Sequence, residues 1–221
     1  MSKGKIIAID GPAGAGKSTV SKIIAEKLKY TYIDTGAMYR AVAYKVIKQN
    51  KKITTPVIIE AAENMELDLR YDDGITKVFV DGEEITNEIR TPEVSKIASD
   101  VAKIGFVREK LTELQRKMAT RGSVIMDGRD IATHVLPNAN IKIFLTASIE
   151  ERARRRCEEL KSKGYNVDQN EISKEINLRD KQDMEREIAP LIKADDAILL
   201  DTTNKSIDEV VNKILDLTIN S

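Results

Sequence analysis

The chain has 221 residues, with 36 Lys plus Arg against 36 Asp plus Glu and 41% hydrophobic residues, so a third of it is charged and its formal net charge is zero. That balance excludes a dedicated nucleic-acid binder, whose affinity rests on a basic excess, and a disordered acidic protein. The length suits one large domain with insertions, at about 100 to 200 residues per domain.

The amino terminus, MSKGKIIAID, carries two lysines and only a short apolar stretch, well below the roughly 7 to 15 apolar residues of a signal peptide. No run approaches the roughly 18 apolar residues of a membrane helix. The single cysteine, Cys157, cannot form an intramolecular disulfide, so the cytoplasm is the expected location. With no Trp and three Phe, the chain also lacks the aromatic platforms of single-strand binding surfaces.

In chain order, five brief apolar runs predict strands: Lys5 to Asp10, Thr31 to Asp34, Ser123 to Asp127, Ile141 to Ala147 and Ala197 to Thr203. Continuous apolar runs suit strands buried on both faces, which indicates a parallel sheet in an α/β fold. Helices are predicted from Lys17 to Lys29, Ala37 to Gln49, Pro92 to Ala119 with a break near Gly105, Ile149 to Lys163, and Ser206 to Leu217. The last opens with Ser206 and Glu209 at capping-box spacing. Between Leu67 and Ile85, two Asp-Gly pairs, Asp73-Gly74 and Asp81-Gly82, separate alternating segments, a local antiparallel signal. The stretch from about 148 to 189 is highly charged and contains Gly164; it predicts a solvated, mobile helical flap.

Residues 11–18, GPAGAGKS, match G-x-x-x-x-G-K-[ST] between a predicted strand and a predicted helix, the context of a phosphate-binding P-loop. Gly11, Pro12, Ala13, Gly14, Ala15, Gly16, Lys17, Ser18 and Thr19 are the candidate residues for a nucleoside triphosphate. Glycines let main-chain N–H groups curl around phosphate, Lys17 reaches the β and γ groups, and the Ser18 hydroxyl suits Mg²⁺. No Asn-Lys-x-Asp guanine motif is found: Asn204-Lys205-Ser206-Ile207-Asp208 places its aspartate one residue late. The strand ending Asp127-Gly128 lacks the Asp-Glu of most remodelling ATPases, which leaves a small kinase.

Asp34-Thr35-Gly36-Ala37-Met38-Tyr39-Arg40 and Asp127-Gly128-Arg129-Asp130 follow predicted strands, at the edge where open α/β sheets bind ligands. Arg152, Arg154, Arg155 and Arg156 crowd one short stretch, with Arg179 and Arg186 further on. Helical spacing pairs Glu151 with Arg155 and Arg154 with Glu158, while Arg152 and Arg156 share a face. Arginines that close over a phosphoryl group stabilise its spread charge. Plentiful arginines without an evident base favour a phosphate acceptor, which is already anionic, over a hydroxyl. His134, the only histidine, is expected to be structural.

Together, GPAGAGKST, IDTGAMYR, EIRTPEVSKIASDVAKIGFVREKL, MDGRD, KIFLTASIEERARRR and LRDKQDMEREIAPL resemble the bacterial cytidylate kinases over essentially the whole chain. The combination of DTGAMYR, DGRD and R-D-x-x-D-x-x-R is far more specific than the P-loop. The resemblance implies a P-loop kinase core built on a five-stranded parallel sheet (about 1–34, 105–148 and 190–221), a small α+β nucleotide-binding insertion (about 35–104) and a short helical lid (about 149–189). It implies a monomeric nucleoside monophosphate kinase of pyrimidine metabolism that phosphorylates CMP and dCMP with ATP and Mg²⁺, without nucleic acid or membrane partners. By matching position, Thr35, Arg40 and Arg129 grip the acceptor phosphate with Arg186 close by. Ser99, Arg108 and Asp130 read cytosine, and Arg179 and Asp183 approach the ribose. Lys17, Arg129, Arg152 and Arg155 act on the transferred phosphoryl group. The Thr35 position is often Ser in the family, and both supply the hydroxyl. The rival readings are a shikimate-like kinase acting on a hydroxyl, with Asp34 or Asp127 as base, and a nucleotide-binding switch.

Overall fold

Short runs of branched aliphatic side chains form the central sheet. In the computed structural model, which describes residues 4–72 and 75–219, these runs are β1 (Ile6–Asp10), β2 (Thr31–Asp34), β6 (Val124–Gly128), β7 (Ile141–Thr146) and β8 (Ile198–Asp201). They lie in the order β2-β6-β1-β7-β8, and every pairing is parallel. Ile7, Ile9, Ile125, Ile143 and Leu145 are wholly buried, as the absence of polar alternation required. On one face α1 (Lys17–Leu28) and α8 (Ile207–Ile219) contribute Val20, Ile24, Val210, Val211 and Ile214. On the other, Ala8, Ile33 and Met126 pack with Ala119, Ile131 and Val135. Strands are added on both sides of β1, so the crevice at its carboxyl end lies where the winding direction changes.

The segment between β2 and β6 builds a second core. It contains α2 (Thr35–Lys48), α3 (Thr55–Glu63), β3 (Leu67–Asp72), β4 (Ile75–Val80), β5 (Glu83–Glu84), α4 (Pro92–Val101) and α5 (Gly105–Ala119). Met38, Val42, Ile58, Val78, Val94 and Leu111 share one apolar cluster there. The strands form an antiparallel sheet, β3-β4-β5. Asp81 and Gly82 both have positive φ, 53° and 85°, the two-residue turn that matches strand twist. The other expected turn, Asp73-Gly74, lies outside the described residues. Helix α3, whose Pro56 sits in its first turn, is not among the predicted helices.

The charged stretch beyond β7 is not solvated throughout. It forms α6 (Ile149–Ser162) and α7 (Gln169–Glu185), which enclose Ala153, Leu160, Ile172 and Ile176 in an apolar cluster of their own. Gly164, at φ 84°, ends α6: its N–H bonds Lys161 O at 2.9 Å and the next N–H bonds Leu160 O at 3.1 Å, the Schellman closure. The α8 capping box forms as expected, with Glu209 N on Ser206 Oγ at 3.2 Å and Ser206 N on Glu209 Oε2 at 2.8 Å.

Candidate active site

The P-loop joins β1 to α1, and its three glycines, Gly11, Gly14 and Gly16, all have positive φ. A Cβ on Gly11 would lie 2.0 Å from the Leu145 carbonyl oxygen, so the loop can pass β7 only as glycine. Gly16 precedes α1 without a side-chain cap, leaving the helix's first N–H groups for an anion. Thr19 is exposed on that first turn. Lys17 is buried and its Nζ donates to Pro12 O at 2.7 Å. Burial, and then repulsion from Arg129, hold its ammonium well below the usual lysine range.

Beneath the loop, Asp127 accepts from Ser18 Oγ at 2.8 Å and from Tyr32 OH at 2.9 Å. Burial, reinforced by Asp34, pushes this carboxyl up to about 6. Ser18 and Asp127 are adjacent hard oxygen donors, and such a pair fits Mg²⁺, which fills its remaining positions with phosphate and water oxygens. Among the described residues no group of three His, Cys, Asp or Glu is gathered for a metal. Asp10 is also buried, and its carboxylate accepts from Ile131 N at 2.9 Å and Ala132 N at 2.7 Å, fixing the five-residue turn Ile131–Val135 that follows Asp130. His134 lies in that turn, and its carbonyl accepts from Arg116.

The second constellation lies beside the first. Asp34 caps α2 at Ala37 N and pairs with Arg40 at 3.0 Å and Arg90 at 3.8 Å. Burial opposes its ionisation, but Arg40 and Arg90 outweigh that and keep the carboxyl below its usual range. Thr35 Oγ1 donates to Asp127 O at 2.7 Å. A chain of alternating charges then crosses from β6 to α7. Arg129 Nε bonds Asp183 at 2.9 Å, Arg186 bridges Asp183 and Asp130 at 3.5 Å each, and Asp130 pairs with the buried Arg108. Arg108 also bonds Ala102 O at 3.1 Å and lies 5.6 Å from the centre of the Tyr39 ring. Asp183 is held low, because Arg129, Arg179 and Arg186 together overcome its burial. Arg179 is pushed down to about 10 by burial and by Arg129, and its Nε has no partner among the described residues. Ser99 stands apart from this chain, its hydroxyl on Ser95 O of its own helix at 3.4 Å.

The arginines of α6 divide. Arg154 is exposed and bonds Glu151 and Glu158, while Arg156 bonds Glu159 at 2.7 Å. Arg155 bonds Glu151 at 2.8 Å and Thr202 O at 2.7 Å, and its Nη1 lies 3.6 Å from where a Gly16 Cβ would be. Arg152 turns inward to Ala13 O, Ala147 O and Asp180. Sequence reading assigned no site role to Asp10, Tyr32, Arg90, Asp180 or Thr202. The available signal was an aspartate closing β1, β2 and β6 alike, and Asp180 inside the R-D-x-x-D-x-x-R run.

The family model described as Cytidylate kinase matches residues 7–220. The cytidylate kinase of Caldicellulosiruptor bescii is 56% identical over 212 residues, covering 96% of this chain and 94% of the relative. That of Bacillus licheniformis is 52% identical over 219 residues, covering 98% and 97%. Among solved structures, an uncharacterized protein from Eubacterium ventriosum aligns over 100% of both chains with a TM-score of 0.56 at 17% identity. A shikimate kinase from Bacteroides thetaiotaomicron covers 96% of this chain and 97% of its own, with a TM-score of 0.50 at 14% identity. At such identities these two structures establish the likeness of fold alone.

Proposed function

The chain belongs to the cytidylate kinase family, and from that membership we infer that it is a nucleoside monophosphate kinase that phosphorylates CMP and dCMP with ATP to CDP and dCDP. The observation that carries this reading into the structure is the charged chain Arg129–Asp183–Arg186–Asp130–Arg108 standing beside the P-loop lysine. An anionic oxygen of the CMP phosphate attacks the γ-phosphorus in line. The bond from that phosphorus to the β,γ-bridging oxygen breaks, and ADP departs with the electron pair. A phosphate monoester needs no base, which matches a site rich in arginines, so alignment and charge neutralisation do the catalytic work. The hydroxyl-kinase and switch readings are not favoured.

In this scheme Lys17 and the N–H groups of residues 11–19 hold the ATP phosphates, and Arg155 and Arg129 meet the transferred group. Ser18 and its hydrogen-bond partner Asp127 would hold Mg²⁺, which would supply neutralisation of phosphate charge. Arg40, Arg129 and Thr35 take the acceptor phosphate, with Arg186 behind them. Asp130 accepts from the cytosine amino group while Arg108 and Ser99 donate to its ring acceptors, and Arg179 and Asp183 face the ribose. Arg152 adds its charge from behind the loop. We divide the chain into a core of about 1–34, 105–148 and 190–221, an acceptor insertion of about 35–104 and a lid of about 149–189. The separate apolar clusters of the insertion and the lid support that division. A monomer in the cytoplasm is the proposed working form, because one chain supplies every assigned residue and Cys157 is a buried free thiol.

The test is ADP release, followed in a coupled assay with CMP, dCMP, UMP, AMP or shikimate as acceptor. Turnover with CMP and dCMP well above the others is expected. Turnover with shikimate alone, or with no acceptor, would overturn the reading.

A further inference from the structure

Both polar groups of one P-loop residue are gripped from the lid helices. Ala13 N–H donates to Asp180 Oδ1 at 3.3 Å, and Ala13 O accepts from Arg152 Nη1 at 3.1 Å. The two side chains are ion-paired with each other, so Ala13, Arg152 in α6 and Asp180 in α7 close a ring. Arg152 is 5% exposed and Asp180 6%. Arg152 Nε is tied to Ala147 O at 3.0 Å, which anchors the ring to the end of β7. Gly14 makes the approach possible, since a Cβ there would stand 3.0 Å from Arg152 Cβ and 3.1 Å from Arg152 O.

Burying two charges is costly, and apolar side chains of similar size would pack these helices at least as well. What an apolar pair cannot do is hold a peptide N–H and C=O at once. A phosphate cradle works when its amides are aimed before the phosphate arrives. We propose that Asp180 is a positioning residue for donor-nucleotide binding: it holds Arg152 on Ala13 O, takes Ala13 N–H itself, and thereby fixes the P-loop and ties the lid helices to it. Its role is distinct from those of Arg179, Asp183 and Arg186 in the same motif, which face the acceptor side. The kinetic part of this inference rests on the proposed kinase reading; the binding part does not.

Calorimetric titration of wild type, Asp180→Asn, Asp180→Ala, Arg152→Met and the Asp180→Ala/Arg152→Met pair with Mg-ADP, and separately with CMP, tests it. ADP affinity is expected to fall about tenfold or more in each single variant, with CMP affinity within about threefold of wild type. The double variant should be little worse than the worse single one, because the residues act as a unit. In turnover, KM for ATP rises while KM for CMP does not. A purely structural role would lower the melting temperature and leave both affinities of the folded fraction unchanged. That result overturns the proposal, as do equal losses for ADP and CMP, additive losses in the double variant, or tighter ADP binding by Asp180→Asn. The last would mean that the carboxylate competes with phosphate for Ala13. If Asp180→Ala fails to fold, Asp180→Asn, which keeps an acceptor for Ala13 N–H, carries the test. A wild type that binds Mg-ADP but does not phosphorylate CMP would defeat the kinase reading alone.

Discussion

The Asp10 carboxylate bonds the amide of Ala132 at 2.7 Å and thereby ties the end of β1 to the turn after Asp130. Burial lifts this carboxyl from 3.8 to about 6. The folded state therefore binds the proton more tightly than the unfolded state, so this group's contribution to stability falls as pH rises from about 4 through about 6. Relative to Asp10→Asn, wild type should lose about 3 kcal/mol of unfolding free energy across that interval. Urea unfolding of both proteins from pH 4 to 7 measures the difference, and a flat difference would contradict the assignment.

Lys17→Ala should lower kcat by about 10² to 10³, or about 3 kcal/mol, with CMP binding changed little. Steady-state kinetics with equilibrium CMP titration separates the two effects. A wild-type kcat would remove Lys17 from the phosphate site.

Asp130→Ala leaves the buried Arg108 without its ion-pair partner and should destabilise the fold by about 3 kcal/mol. Cytosine and uracil differ in hydrogen-bond polarity at position 4 and N3, so wild type is expected to disfavour UMP by about one to two powers of ten through an unmatched buried group. The variant should lose most of that preference. Relative kcat/KM for CMP and UMP is the readout, and an unchanged ratio would exclude Asp130 from base recognition.

Gly11→Ala brings a Cβ to 2.0 Å from a backbone oxygen and should cost at least about 3 kcal/mol. Gly164→Ala, at φ 84° with open space around it, should cost only about 1 kcal/mol. Melting temperatures of the two variants distinguish steric exclusion from the backbone preference alone.

The five strands were legible because each is a brief run dominated by apolar side chains, and the P-loop because its residues are contiguous. Helix α3 was not, since Val57, Ile58 and Ile59 are β-branched and favour strands when read locally; burial of Ile58 and Ala61 decides otherwise. Helix α7 hides its buried face behind charge, and two of its four buried residues are Asp180 and Asp183. The arginines proposed for the phosphate and the acceptor were legible as candidates, but their partners were invisible. Asp10 meets Ala132 and Arg152 meets Ala13 across more than a hundred residues, and no local pattern encodes such pairs. The inward turn of Arg152 is likewise a consequence of Asp180, on a different helix.

The chain has no tryptophan, so its ultraviolet emission comes from tyrosine. Tyr32 is buried, packs edge-on against Tyr71 with ring centres 6.3 Å apart, and donates a hydrogen bond from its hydroxyl to Asp127, the carboxylate that also holds Ser18. A carboxylate acceptor quenches an excited phenol, so the carboxylate that holds Ser18 also bears on the emission of the Tyr32 ring. Tyrosine emission is therefore expected to respond to any change at the Ser18–Asp127 pair, a readout that needs no added label.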